Sequence, residues 1–334
     1  MIKHSSSFIG EEELQTFNDV LSSGLITKGR ENELFKSEFG ELLKANYVKI
    51  TSSGTMAFFL ILKAIGVEKG DDVLLPDYIC SDLLGPIKAI GANAVLYDNS
   101  ADSYLSREDE ILPKVTNKTR VVVLNHTFGF INKCCETLYH QLPKSIALVE
   151  DCCHLILPNE MNTVGHTRKF SSCCFYSFNA TKLIATGEGG AITTNNEQLF
   201  NKLEGLKIGA NLSDLNCALG RIQLRKLNYI IKRRIEIAQK YMKEFEGYLS
   251  DDFNNNSGVF FRFPLTVYKP EKFWTSEKVA YRKGVDSLLS DHLGVKSMLY
   301  AGTMLTTTVS IPIYPILKDE EVELIIKETK KYLK

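Results

Sequence analysis

Short apolar segments that do not alternate with polar residues are the feature that most restricts the fold of this 334-residue chain. They span Asp72 to Pro76, Ala94 to Tyr97, Val121 to Leu124 and Ala147 to Val149, and helical patterns separate them. A strand that is apolar on both faces is buried on both faces, and such strands, separated by helices, are typical of a parallel sheet in an α/β domain. Ligands of such domains collect at the carboxyl ends of the strands.

The C-terminal part of the chain has a different pattern, from which we predict a second, smaller domain. Apolar residues recur at helical spacing from Leu215 to Phe245, which predicts a long helix that bridges two domains or lies at a subunit interface. Beyond it we predict a strand over Val259 to Val267 and a helix over Ser276 to Leu289. We place a large α/β domain at residues 1–230 and a small α+β domain at residues 231–334.

Charge and cysteine content exclude several classes of function. Forty basic and forty acidic residues cancel without long runs of one sign, which argues against nucleic acid and membrane surfaces as partners. Residues 1–7 lack the apolar core of a signal peptide and no apolar run is long enough for a membrane span, so we expect a cytoplasmic protein. The eight cysteines include three adjacent pairs, a spacing that suits neither disulfides nor zinc. We therefore predict no metal site and interpret most cysteines as small buried side chains.

Residues Cys173 to Thr194 predict a strand, a short loop that carries Lys182, a Gly-rich turn and a second strand. A lysine among small residues is poorly solvated and loses its proton readily, and a neutral amine can form a Schiff base with a carbonyl. Ser177, five residues earlier, offers a hydroxyl to the same ligand. A lone loop lysine is more often a surface residue, so this interpretation depends on other segments.

Three other segments carry groups that suit an anionic ligand. Gly54 and Thr55 open an apolar segment that predicts a buried helix, whose first amides either bind an anion or are simply capped. Asp151 follows a buried strand, where a carboxylate caps the next helix or holds a proton on a pyridine nitrogen. Lys28 and Arg30 lie in a loop that either meets a phosphate or is merely solvated.

Together these groups are the parts needed to hold pyridoxal 5'-phosphate. The predicted helix N-terminus and Ser177 suit its phosphate, and Lys182 suits its aldehyde. Asp151 suits its ring nitrogen, whose protonation lets the ring draw electrons from a substrate carbanion.

The same residues lie in longer motifs spread over nearly the whole chain. These include Ser52-Ser53-Gly54-Thr55, Glu150-Asp151, Ser177-Phe178 with Thr181-Lys182, Thr186-Gly187-Glu188-Gly189-Gly190 and Ile311-Pro312-Ile313-Tyr314-Pro315. In these motifs the sequence resembles the DegT/DnrJ/EryC1/StrS-type sugar aminotransferases, which depend on pyridoxal phosphate. The resemblance implies fold type I: a large domain with a mostly parallel seven-stranded sheet flanked by helices, plus a small C-terminal α+β domain. It also implies a homodimer with shared active sites.

The resemblance further implies a role for individual residues. Lys182 is expected to be the Schiff-base lysine that moves protons, Asp151 to face the pyridine nitrogen, and His154 to lie near the ring hydroxyl. The implied phosphate contacts are Ser177 and the amides of Gly54, Thr55 and Met56, with Asn211 lent across the subunit interface.

The chain departs from the family pattern at two places. Cys80 stands where the family usually has an aromatic residue that stacks on the cofactor ring, and Tyr78 lies two residues earlier. Gly209-Ala210-Asn211-Leu212 replaces an Asn-Tyr-Arg-Met-like segment, so that its arginine is missing. Substrate contacts are expected from Lys28, Arg30 and Tyr314.

The expected reaction is transfer of an amino group from an amino acid, L-glutamate, to a keto sugar linked to a nucleotide, in surface-polysaccharide or secondary-metabolite biosynthesis. Lys182 argues against the dehydrating branch of the family, which has histidine at this position. A keto-cyclitol or another small ketone is the alternative acceptor. A catalytically silent sensor or scaffold is the alternative from a different class.

Overall fold

The computed structural model describes residues 1–27, 29–158, 170–209, 211–254 and 258–333. Its main sheet has seven strands. They are β1 (Tyr47–Thr51), β2 (Asp72–Pro76), β3 (Asn93–Tyr97), β4 (Thr119–Asn125), β5 (Ala147–Asp151), β6 (Cys173–Ser177) and β7 (Gly190–Thr194). Their spatial order is β1-β7-β6-β5-β4-β2-β3, and β7 is antiparallel to both of its neighbours while the other pairs are parallel. The predicted mostly parallel α/β sheet is thus confirmed.

Helices cover the sheet, and a second group of elements follows it in the chain. The first helices are α1 (Glu11–Ser23), α2 (Arg30–Leu43), α3 (Gly54–Ile65), α4 (Leu84–Ile90), α5 (Glu108–Ile111), α6 (Cys135–Gln141), α7 (Glu197–Gly205) and α8 (Asp214–Glu244). The C-terminal elements are β8 (Phe263–Thr266), α9 (Leu289–Leu293), α10 (Leu299–Thr307), β9 (Thr308–Ile311) and α11 (Asp319–Tyr332). Strands β8 and β9 pair in antiparallel fashion to form a small second sheet.

The two faces of the main sheet are both buried, as the non-alternating strands predicted. On β4, Val121 and Val123 pack into the core beneath α3 and α4. Val122 and Leu124 point the other way and pack into the core beneath α6. Six of the eight cysteines also lie in the hydrophobic cores, namely Cys134, Cys135, Cys152, Cys173, Cys174 and Cys217.

Helix α8 belongs to two hydrophobic cores. Its first half contributes Leu227 and Ile231 to the core shared with α2 and the main sheet. Its second half contributes Ile237 and Tyr241 to the core that contains β8, β9 and α11. The predicted long helix is confirmed, whereas the boundary between residues 1–230 and 231–334 stays a prediction. Within the described residues, no helix combines the length and the apolar character that crossing a bilayer requires.

The segment from Ser276 to Leu289 is not the helix that its composition predicts; α9 begins only at Leu289. Its backbone instead pairs with segments that are distant in the chain: Val279 forms a bridge with Ile2, and Arg282 forms a bridge with Ser310 of β9. These tertiary pairings use the amides and carbonyls that a helix would need. The predicted strand over Val259 to Val267 is likewise shorter, since β8 spans Phe263–Thr266.

Gly190 of β7 allows a test of the close packing between β7 and Ser53, because a side chain at this position would have no room. A Cβ atom at Gly190 would lie 2.5 Å from the carbonyl carbon and oxygen of Ser53. We expect Gly190→Ala to lower the free energy of unfolding by about 1–3 kcal/mol, measured in denaturant. Gly85→Ala in α4 is the control, because no atom lies within 4 Å of its Cβ, and it should be neutral or stabilise by about 0.4–1 kcal/mol. Equal stability of the two variants would contradict the close approach.

Candidate active site

A cavity of about 420 Å³ opens where strands β2, β4, β5 and β6 end, next to the first turn of α3. Parallel α/β sheets commonly bind ligands at this edge. Seven of the predicted catalytic and cofactor-binding residues line it together: Gly54, Thr55, Cys80, Asp151, His154, Ser177 and Lys182.

The N-terminus of α3 forms one wall of this cavity. Ser53 caps the helix, and its hydroxyl accepts the N–H of Met56 at 3.0 Å. First-turn amides have no acceptor within their own helix, so those of Gly54 and Thr55 suit an anion in the cavity. Met56 is thus engaged by the cap rather than facing the ligand space.

Two close approaches hold this wall against Ser177. A Cβ atom on Gly54 would meet the Cβ of Ser177 at 3.0 Å and the sulfur of Cys153 at 3.3 Å, so glycine allows the start of α3 to pack this closely against β6. Ser177 and Thr51 both pair with Gly190 across β7. The hydroxyl of Ser177 and the first amides of α3 therefore lie side by side.

Asp151 ends β5 and lies in register with Asn125 of β4 and Phe175 of β6. Its carboxylate accepts the N–H of Cys153 at 2.9 Å. Burial raises the pKa of Asp151, while that hydrogen bond and the charge of Lys182 oppose the rise. The carboxylate is thus fixed in orientation and faces the cavity.

Lys182 follows β6 in a turn that the hydrogen bond from its own N–H to the carbonyl of Asn179 closes at 2.8 Å. Its Nζ lies 4.9 Å from the centre of the Phe261 ring. Burial lowers the pKa of Lys182, against the opposing influence of Cys153 and Asp151. Within the described residues Lys182 forms no ion pair, so its amine is available to a ligand.

His154 lies with its ring stacked on Phe261, with ring centres 4.3 Å apart. Its Nδ1 accepts the N–H of Phe128 at 3.3 Å, which leaves the proton of the neutral ring on Nε2. Burial, then the charges of Lys182 and Arg262, lower the pKa of His154 well below its usual value. The ring is therefore a neutral donor through Nε2.

Cys80 and Tyr78 both line the cavity but differ in accessibility. Tyr78 is fully buried and packs edge-on against Phe128 in the core that contains β8 and β9. Cys80 is exposed at the end of β2. Of the two, the sulfur of Cys80 is the group that a ligand ring can reach.

Three other expected contacts lie away from this cavity in the single chain. Asn211 lines a separate cavity of about 380 Å³ with Lys36. Arg30 lines a third, of about 360 Å³. Tyr314 is buried in the core around β8 and β9, and Lys28 lies outside the described residues.

The structure adds residues that the sequence reasoning missed, above all Phe261, Arg262 and Arg282. Both arginines line the active-site cavity, and Phe261 supplies the ring on which His154 stacks. The one signal in the sequence is a charged residue within the aromatic run Phe260-Phe261-Arg262-Phe263. Charged side chains are rarely buried in an apolar segment unless they are paired.

His126, Glu150 and Cys152 lie close enough together to raise the question of a metal. Both ring nitrogens of His126 are engaged, however. Its Nδ1 accepts the N–H of Asn132 at 3.0 Å, and its Nε2 is 3.0 Å from the carboxylate of Glu150. The imidazole thus has no lone pair left for a cation. We interpret the contact between His126 and Glu150 as a buried structural contact next to Asp151.

The chain is similar to known proteins in both sequence and fold. The chain is 26% identical over 381 residues to the spore coat polysaccharide biosynthesis protein SpsC of Bacillus subtilis, covering 100% of this chain and 97% of that protein. It is 29% identical over 259 residues to the GDP-perosamine synthase of Escherichia coli O157:H7, covering 72% and 70%. Its fold matches the PLP-form of the putative sugar aminotransferase Spr1654 from Streptococcus pneumoniae with a TM-score of 0.86 at 21% identity, covering 98% and 97%.

These findings define an α/β protein of the aminotransferase class. The chain belongs to the DegT/DnrJ/EryC1/StrS aminotransferase family, whose model matches residues 7–330. The family predicted from the sequence motifs is thereby confirmed.

The burial of Lys182 predicts a pH-dependent cost in stability. The folded state lowers its pKa below the ordinary value of 10.5, so the unfolded chain binds more protons between the two pKa values. Wild-type stability should therefore rise with pH through that window, as the cost of burying the charge disappears. We expect Lys182→Met to raise the free energy of unfolding of the cofactor-free protein at pH 7, and this gain to shrink toward pH 10.

Denaturant unfolding of both proteins at the two pH values measures the difference. Lys202→Met in α7 is the matched control, because that lysine is exposed and its loss removes only a surface charge. A gain for Lys182→Met that is the same at both pH values would contradict the lowered pKa.

Proposed function

We propose that the protein transfers an amino group from L-glutamate to a keto sugar linked to a nucleotide, with pyridoxal 5'-phosphate as cofactor. The observation that carries the proposal is the single cavity that joins Lys182, Asp151, His154, Ser177 and the first turn of α3. The names of the related proteins, a polysaccharide biosynthesis protein and a GDP-perosamine synthase, support a sugar acceptor.

The residues of the cavity fit the cofactor group by group. The first amides of α3 and the hydroxyl of Ser177, which line the same cavity, suit a phosphate. The fixed carboxylate of Asp151 suits a protonated pyridine nitrogen. The Nε2–H of neutral His154 suits the ring hydroxyl as a hydrogen-bond donor. These are the roles expected for Gly54, Thr55, Asp151, His154 and Ser177.

When bound, pyridoxal phosphate supplies an aldehyde that bonds an amine and a ring that withdraws electrons from the adjacent carbon. Lys182 does the proton transfers. Because burial lowers its pKa, a neutral Nζ would be available to take the proton from the donor α-carbon and to return it later in the transfer. Asp151 would hold the proton on the ring nitrogen, and His154 would donate its Nε2–H to the ring hydroxyl.

We expect wild-type protein loaded with pyridoxal phosphate to show a visible absorption band that L-glutamate shifts and 2-oxoglutarate restores. Lys182→Ala should alter this band and lower the rate of both changes by roughly 10²–10⁴-fold, because it removes the proton-transfer group. Lys202→Ala, on an exposed turn of α7, is the matched control and should behave as wild type.

Full transaminase turnover by Lys182→Ala would contradict the assignment. A wild-type protein that binds the cofactor but responds to no amino donor would favour the silent sensor or scaffold instead. The loaded enzyme should then be offered nucleotide-linked keto sugars and keto-cyclitols side by side, since transfer to cyclitols alone would contradict the sugar acceptor.

We further propose a homodimer in which α1 contributes to the interface. One face of α1 packs on α8, where Glu13 pairs with Lys226 at 2.8 Å. The neighbouring face of the helix exposes Leu14, Phe17 and Leu21, and the following loop exposes Leu25. Apolar side chains at this spacing form an exposed hydrophobic stripe on the helix. A second copy of the chain would bury this stripe from water.

We expect Leu21→Glu to shift the protein toward the monomer in sedimentation analysis, because it places a charge in the apolar stripe. Val295→Glu is the control, since Val295 is exposed to a similar degree but lies outside the stripe. A dimer that survives Leu21→Glu, or a wild-type monomer, would contradict the proposed interface. We also propose that Asn211 is lent across the subunit interface to the cofactor phosphate. A cytoplasmic location remains part of the proposal.

A further inference from the structure

Arg234 is a buried charge with no carboxylate partner among the residues that the structure describes. It lies in the second half of α8, with 4% of its surface exposed. Its Nη1 donates to the carbonyls of Phe260, Phe261 and Ile313, at 3.1, 3.0 and 2.8 Å, while its Nε is buried and finds no hydrogen-bond partner in the same part of the chain. Burial lowers the pKa of Arg234 to about 10, so the guanidinium keeps its charge at pH 7. Carbonyl groups offset only part of such a charge, and the remainder calls for an anion.

The other charges around Arg234 have the same sign. Arg234, Arg262 and Arg282 line one small cavity of about 10 Å³, the arginine cavity, and none of them forms an ion pair with a described residue. His4 lines it as well; burial and then the charges of the three arginines lower the pKa of His4 to about 3, which leaves its ring neutral. The charge of Asp286 acts on Arg262 from the neighbouring active-site cavity, but Asp286 does not line the arginine cavity. The walls of this cavity are therefore positive.

The rest of the lining and the size of the cavity indicate a small anion. Ser5 and Thr181 carry hydroxyl groups, Phe261 and Ile313 are apolar, and none of the described residues in the lining is acidic. A space of this volume holds a single group about as large as a water molecule. Water would satisfy buried N–H donors but would leave the charge, whereas chloride, which is only slightly larger, accepts hydrogen bonds from guanidinium and hydroxyl groups and also neutralises.

The arginine cavity lies where three segments that are distant in the chain meet. His4 belongs to the N-terminal segment, and its Nε2 lies 3.0 Å from the Oγ of Ser310 in β9. Thr181 comes from the loop that carries Lys182, and Phe261 comes from the segment before β8. An anion in this cavity would attract groups from all three segments and so hold them together beside the active site.

We propose that the arginine cavity binds one chloride ion, which acts as the counter-ion of the buried Arg234 and joins the N-terminal segment to the Lys182 loop. The ion is a structural ligand and takes no part in amino transfer, so the proposal is independent of the proposed function. Binding to the folded chain alone stabilises that state in proportion to the occupancy of the site, which makes stability depend on the kind of anion present.

The first experiment measures thermal unfolding of the full chain in phosphate-free buffer with sodium chloride or with sodium gluconate at equal ionic strength. Gluconate is the reference because it is far too large for the arginine cavity. Chloride at ten times its apparent dissociation constant should raise the midpoint of wild-type unfolding by roughly 2 °C relative to gluconate. Arg234→Met should abolish this difference, because it removes the buried charge. Arg225→Met is the matched control, since Arg225 is exposed on the same helix, and it should keep the difference.

A crystallographic measurement on the wild-type protein gives an independent readout and decides the question if Arg234→Met does not fold. Crystals soaked in sodium bromide should show an anomalous peak within hydrogen-bond distance of the Arg234 guanidinium, because bromide replaces chloride and scatters anomalously. Equal unfolding midpoints in chloride and gluconate would overturn the proposal, as would a chloride effect that survives in Arg234→Met. Bromide peaks confined to the active-site cavity or to the surface would overturn it as well.

Discussion

The contact between the start of β7 and the loop that precedes α3 sets the geometry on which the site depends. Gly190 pairs with Thr51 on one side and with Ser177 on the other, and its Cα approaches the carbonyl group of Ser53 so closely that no side chain fits. This one register brings the first turn of α3, the hydroxyl of Ser177 and the loop of Lys182 to the same place. An anion site and a reactive amine thus arise from the pairing of three strands rather than from a flexible loop.

Much of this arrangement could be predicted from the sequence, because its causes are local. In the sequence, the buried strand β4 is recognisable as an unbroken apolar segment. Helix α3 is recognisable as an apolar segment between Ser53 and Gly66. Parallel strands bring their carboxyl ends together, so Asp151 and the Lys182 loop were expected to share one edge. The family motifs then supplied what spacing alone left open, such as the place of His154.

The parts that the sequence did not reveal depend on contacts between distant segments. The backbone of Val279 is held by Ile2, a residue far away in the chain, and this pairing replaces the helix that local composition favours. Arg262 looked like one charged residue in an apolar strand, and only the folded chain shows that it lines the same cavity as Lys182. Likewise, the tautomer of His154 is set by the amide of Phe128, which no sequence pattern indicates.

Helix α8 has a consequence for how the molecule comes apart. Its 31 residues form one rod of about 46 Å that is embedded in both hydrophobic cores, with Leu227 in one and Tyr241 in the other. Breaking α8 near its middle would interrupt its continuous backbone hydrogen bonds and destabilise the helical turns on both sides of the break. The two cores that α8 joins should therefore unfold in one cooperative transition. A chain that ends near residue 230 would keep the part of α8 that packs in the first core but lose the contacts that its second half makes in the other.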